Sequence, residues 1–280
     1  ELEDIEALGD VAAVFLLADR PVERKAAARE IQSYGVDVVE RWKERAGRAQ
    51  QVGDREGALR AMTASAALRP DQGELLGMLG EMYLSLGEQA RAIQFFEAAL
   101  GSDDYRSAWE RAVSFEEGGV VHTMGFQDDR AAAFCRALAQ AYEAQGDTLQ
   151  AARSLRASLI IAGDEDPDRW VTVARLFQAG GDLQGAAYAA HHALDKNPRH
   201  AGTLVLLLDL YKSAGEVGQA IGYGRMAWQV APGDPLVALT LGDLYERRGE
   251  DRAARELYIA ALQQHPEVGA LRVALKRVED

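Results

Sequence analysis

Cysteine is nearly absent from this 280-residue chain, Cys135 being its only one. A single thiol excludes an internal disulfide and any cysteine-based zinc or iron–sulfur centre. Lysine is scarce too, present only at Lys25, Lys43, Lys196, Lys212 and Lys276, so arginine supplies most of the 31 basic side chains. Against 44 acidic residues these leave a net charge of −13 and a pI near 4.9. That balance counts against nucleic acid or an anionic membrane surface as partner, because phosphate recognition needs a basic face. Long apolar runs are also missing. The stretch Val11 to Ala18 falls far short of the roughly 20 residues a membrane-spanning helix needs, so no direct membrane insertion is expected. Disorder is excluded from the other side, since 48% hydrophobic and 27% charged residues is ordinary composition for a folded domain.

The signatures of catalysis are lacking as well. No Gly-x-x-x-x-Gly-Lys-Ser/Thr phosphate loop, His-Glu-x-x-His zinc helix or Gly-x-Ser-x-Gly nucleophile elbow occurs. His191 and His192 are adjacent, so on a helix they point about 100° apart and cannot share a metal ion. His122, His200 and His265 stand alone near turns. Cys135 falls on the inward side of a helix and reads as a buried, inert thiol. The expectation is a chain with no catalytic residues, no metal and no cofactor.

What is present is a repeat. Gly53-Asp54, Gly87-Glu88, Gly146-Asp147, Gly181-Asp182, Gly215-Glu216 and Gly249-Glu250 recur at glycine spacings of 34, 59, 35, 34 and 34. Each pair sits between two amphipathic segments. Glycine ends a helix at no steric cost in the left-handed conformation, and an acidic residue favours the start of the next helix. An aromatic precedes the glycine at Tyr83, Tyr142, Phe177, Tyr211 and Tyr245. An alanine follows it at Ala58, Ala92, Ala151, Ala186, Ala220 and Ala254, where a small side chain lets paired helices approach. A second small column runs through Ser65, Ala99, Ser158, Ala193, Ala227 and Ala261, and Pro70, Pro198, Pro232 and Pro266 close four units.

These columns, with Trp42 and Trp170 early in their units, resemble the tetratricopeptide repeat, a helix–turn–helix unit of 34 residues. The resemblance spans about six units from Val39 to Pro266. It implies an all-α fold, a right-handed superhelical solenoid of antiparallel helix hairpins. Gly73, Gly77 and Gly80 then read as helix-packing residues, and Gly222-Tyr223-Gly224 as a place of close helix approach.

The expected organisation is a divergent N-terminal hairpin over 1–38, two repeats over 39–104, and a truncated repeat or insertion over 105–131. Four repeats follow over 132–266, with a capping helix over 267–280. Within the insertion, Ser107 to Glu117 has helical spacing, Gly118-Gly119 breaks it, and Val120 to Asp129 reads as loop. The chain begins at Glu1 rather than methionine and is expected to be a processed or excised piece. Its compartment is left open, and arginine in place of lysine together with abundant alanine, glycine and aspartate is the taste of a GC-rich bacterial genome.

By the same resemblance, the first helix of each hairpin lines a concave groove that holds an extended peptide or a partner helix. Counting along those helices makes Arg175, Gly202, Val205, Asp209, Lys212, Leu236, Leu239, Asp243 and Glu246 the candidate groove residues. Family members that grip chaperone C-terminal tails use a lysine–asparagine–asparagine–lysine–arginine clamp. Here Lys43 could serve as the first lysine, but Gly47 and Met78 replace both asparagines and Ala133 the second lysine, so that partner is not expected. The functional expectation is a non-enzymatic scaffold or adaptor with a protein or peptide partner. The alternatives are a self-associating structural subunit of a bacterial secretion, pilus or polysaccharide-export assembly, or a regulatory domain cut from a larger protein.

Overall fold

A computed structural model describes residues 2–18, 20–32, 38–69, 71–113 and 128–279. Every regular element among them is an α-helix, and the chain divides into two compact units, residues 1–163 and 164–280. In the first unit, α1 (Leu2–Leu17) pairs with α2 (Pro21–Gln32), α3 (Val38–Gln51) with α4 (Arg55–Leu68), and α5 (Gly73–Ser85) with α6 (Gln89–Leu100). The short α7 (Arg106–Val113) stands between these and the pair α8 (Asp129–Gln145) and α9 (Thr148–Ala162). In the second unit, α10 (Pro167–Ala179) pairs with α11 (Leu183–Lys196), α12 (Ala201–Ser213) with α13 (Val217–Val230), and α14 (Pro235–Arg247) with α15 (Asp251–Gln264). The last helix, α16 (Gly269–Arg277), packs on α14 and α15.

The recurring glycine makes the hairpins. All six periodic glycines have positive φ, between 72° at Gly249 and 87° at Gly146. At each, the following amide donates to the carbonyl five residues before it, as in Glu88 N to Tyr83 O (2.9 Å) and Glu216 N to Tyr211 O (2.8 Å). This is the helix-terminating arrangement that needs a left-handed residue. Asp54, Asp147 and Asp182 then cap the next helix, their carboxylates accepting from the amides of Gly57, Gln150 and Gly185 at 2.8–3.1 Å. Glu88, Glu216 and Glu250 occupy the same place without a side-chain capping bond, the longer side chain being a poor fit for that short loop.

The alanine column from Ala58 to Ala254 is fully buried throughout, as is most of the second small column. Between them lie the large core side chains, Tyr83, Phe96 and Phe134 in the first unit and Trp170, Phe177 and Tyr258 in the second. The glycines of α5 are packed to their limit. A Cβ on Gly73 would lie 2.2 Å from Ser102 Oγ, on Gly77 2.0 Å from the Phe134 ring, and on Gly80 2.7 Å from the Phe96 ring. Gly224 is likewise pressed by Leu241 and Leu208, but Gly222 has nothing within 4 Å, so close approach accounts for only one of that pair.

The helix α7 packs against α9, while α8 packs directly on α6. The expected break at Gly118-Gly119 and the loop up to Gln127 lie outside the described residues. Asp129 is not loop but the first residue of α8, because the Asp128 carboxylate accepts from the amides of Arg130 (3.1 Å) and Ala131 (2.9 Å) and starts the helix there.

Candidate peptide groove

In the second unit, α10, α12 and α14 are the first helices of successive hairpins and lie side by side. Between them is a pocket of about 250 Å³, lined by Arg175 and Gln178 from α10, Val205, Leu206, Leu208 and Asp209 from α12, and Leu236 and Thr240 from α14. Its floor is apolar, with Leu206 and Leu208 buried, and Leu236 stands at the rim 60% exposed. The Asp209 carboxylate accepts from Gln178 Nε2 at 2.9 Å.

Four of the nine candidates, Arg175, Val205, Asp209 and Leu236, therefore share this pocket. The others lie outside its lining. Gly202 follows the His200 cap of α12, and Leu239 is half-buried and packs against the core cluster of the second unit. Lys212 and Arg247 both approach Asp243, at 3.8 and 3.0 Å. Glu246 is consumed within the fold. Its carboxylate takes two bonds from Arg277 of α16 (2.7 and 2.8 Å) and one from Tyr258 Oη (2.6 Å). Leu206, Leu208, Gln178 and Thr240 also line the pocket and were not among the nine. The signal for the first two was the unbroken apolar run Leu204–Leu208, wider than the stripe of an ordinary amphipathic helix.

The corresponding face of the first unit is filled from within. Arg130 reaches Glu74 (3.2 Å) and Glu81 (3.4 Å) and lies over the Phe134 ring, which occupies the space opposite Gly77.

The hydrogen bonds from Arg277 hold the Glu246 carboxyl below its usual range, although partial burial opposes them. A depressed folded-state pKa stabilises above the ordinary carboxylate pKa, and that contribution is lost as pH falls through the depressed value. Acidification should therefore loosen α16 before the rest of its unit. Amide exchange in Gly269–Arg277, compared between about pH 7 and about pH 3, checks this. Glu246→Gln should remove the acid dependence. Exchange that tracks the whole unit at both pH values would contradict it.

The histidines and the thiol go elsewhere. His191 Nε2 lies 2.9 Å from Tyr211 Oη, while His192 stacks on Trp170 at 3.9 Å. Burial lowers the pKa of both rings. Cys135 is fully buried, and burial pushes its thiol pKa well up. Among the described residues, no group of three or more His, Cys, Asp or Glu side chains could hold a metal ion, and no helix is long and apolar enough to cross a membrane.

Residues 44–112 match the family model of the tetratricopeptide repeat. No curated protein matches the sequence. Among solved structures, part of the Naa15/Naa10 complex bound to HypK aligns with a TM-score of 0.64 at 15% identity, over 98% of this chain and 39% of that one. YrrB, described as a TPR protein with an unusual peptide-binding site, aligns at 0.49 and 16% identity over 78% of this chain and 100% of its own. PilW, described as a widely conserved type IV pilus biogenesis factor, aligns at 0.37 and 17% over 85% and 98%. Residues 44–112 thus carry the tetratricopeptide repeat, and the six left-handed glycines at its period, with the hairpins they terminate, give the described residues the same helix-hairpin architecture.

Proposed function

We propose that the chain is a non-enzymatic interaction module whose second unit holds an extended peptide or partner helix in the groove between α10, α12 and α14. Tetratricopeptide repeats are in general protein–protein interaction scaffolds, which supports that class of function for this chain. The observation that carries the reading is the pocket between Val205, Leu208 and Leu236. At about 250 Å³ it is below the range of most small-molecule sites and suits a single apolar side chain. An exposed leucine at the rim of such a pocket is the kind of residue that anchors a partner.

The test is selection from a random dodecapeptide library followed by fluorescence anisotropy with the recovered peptides. Leu236→Glu should weaken their binding by about tenfold or more, because an apolar contact is replaced by a carboxylate that binding must desolvate. Since Leu236 is exposed, circular dichroism and the melting temperature should stay unchanged. Equal binding by wild type and variant, or no recovered peptide, would remove the groove assignment.

A further inference from the structure

The groove reading leaves open what such a peptide carries beside its apolar anchor, and one residue speaks to that. Arg175 lines the pocket and is exposed, with no hydrogen-bond or ion-pair partner among the described residues. In a chain with 44 acids and 31 bases, cations usually find carboxylates. Arg130 holds Glu74 and Glu81, Arg169 holds Asp164 and Asp166, and Arg277 holds Glu246. The nearest acid in the pocket lining, Asp209, is instead engaged by the Gln178 amide. One turn further along α12, Lys212 and Arg247 share the single carboxylate of Asp243. Within the pocket lining Arg175 is the one cation and Asp209 the one acid, and only the acid has a side-chain partner among the described residues.

We infer that the occupant is a segment pairing an apolar side chain with a side-chain carboxylate within two residues of it, the apolar group in the pocket and the carboxylate on the Arg175 guanidinium. This rests on the proposed groove and adds the partner's chemistry to it. An extended segment advances about 3.3–3.6 Å per residue, so two residues carry the acid across the width of a pocket of this size. A planar guanidinium at an apolar edge suits carboxylate recognition, since it is weakly hydrated and can offer two parallel N–H donors. The unpartnered Arg175 guanidinium disfavours a basic side chain at the position it faces.

The experiment uses the dodecapeptide library fused through its C-terminus, so that any acid recovered is a side chain. Synthetic peptides of the consensus, with amidated C-termini, then serve as probes. Wild type should enrich Leu, Ile, Met or Phe next to, or one residue away from, Asp or Glu. Replacing that acid by its amide should weaken binding to wild type about fivefold, modest because Arg175 is exposed, and the affinity should fall as salt rises. Arg175→Glu should bind the consensus roughly tenfold more weakly, be indifferent to the acid-to-amide change, and select Lys or Arg at that position instead. A consensus without acid, or the same sequences recovered by Arg175→Glu, overturns this inference. In that case continued sensitivity to Leu236→Glu leaves the groove reading standing. Recovered peptides indifferent to both substitutions, or no recovered peptide, overturn the two together.

Discussion

Gly77→Ala is expected to destabilise the first unit by about 2 kcal/mol, although alanine is the better helix former by roughly 1 kcal/mol. The added Cβ would lie 2.0, 2.3 and 2.4 Å from three atoms of the Phe134 ring. That ring cannot step aside cheaply. It is fully buried, meets Tyr105 edge-on at 5.5 Å and Phe96 at 6.1 Å, and has the Arg130 guanidinium above it at 4.7 Å. Overpacking of a filled site costs about 1–3 kcal/mol and sometimes more, so it outweighs the propensity gain. Gly222→Ala is the control. With nothing within 4 Å of its Cβ, only the propensity gain remains, and stability should rise by about 1 kcal/mol. Urea midpoints of the two variants, moving in opposite directions, check the pair. Combining Gly77→Ala with Phe134→Leu should recover part of the loss, since the two sites share one space. A Gly77→Ala protein as stable as wild type would mean that α5 and α8 are not held at this distance.

Trp170→Ala should cost about 3–5 kcal/mol, the range for removing a large buried aromatic. The side chain is 1% exposed and lies against the His192 ring at an interplanar angle of 19°. Its Nε1–H donates to the Asp164 carbonyl at 2.8 Å, tying the start of α10 to the turn before it. Truncation therefore opens a cavity and also leaves that carbonyl without its donor. Trp170→Phe separates the two contributions, keeping an aromatic face on His192 while losing the hydrogen bond, and should cost about 1–2 kcal/mol. Because solenoid repeats interact mainly with their neighbours, the loss should appear first in α10 and α11. Amide exchange in those two helices, alongside the urea midpoint, measures it. A Trp170→Ala variant within about 1 kcal/mol of wild type would contradict the packing described.

The Trp170 prediction bears on the proposed groove, because the pocket exists only while α10, α12 and α14 hold their spacing. A groove variant is informative only if these packing contacts survive it. That is why exposed Leu236 and Arg175 are the residues to change, rather than Leu239, which is half-buried against the core.

The repeat architecture was legible in the chain because its causes are local. A glycine every 34 residues, an acid behind it, an aromatic before it and an alanine beyond it each act within a turn or two of helix. The period therefore yielded the hairpins, their left-handed terminators, and which helix of each pair comes first. The break in the period falls between α6 and α8, and the first turn of α8 hung on the Asp128 cap. Tertiary structure alone decided which groove residues remain available. Counting along helices treated Asp209, Asp243 and Glu246 alike. Yet Gln178, 31 residues from Asp209, engages the first, Lys212 and Arg247 share the second, and Arg277, 31 residues on, consumes the third. In the same way Gly222 and Gly224 are two letters apart in the sequence, but only Gly224 faces the packed side chains of α12 and α14. Repeat period is written in short-range backbone preference, which one chain segment carries by itself. Side-chain availability depends on what the neighbouring repeat places opposite, and that partner is set by three-dimensional packing.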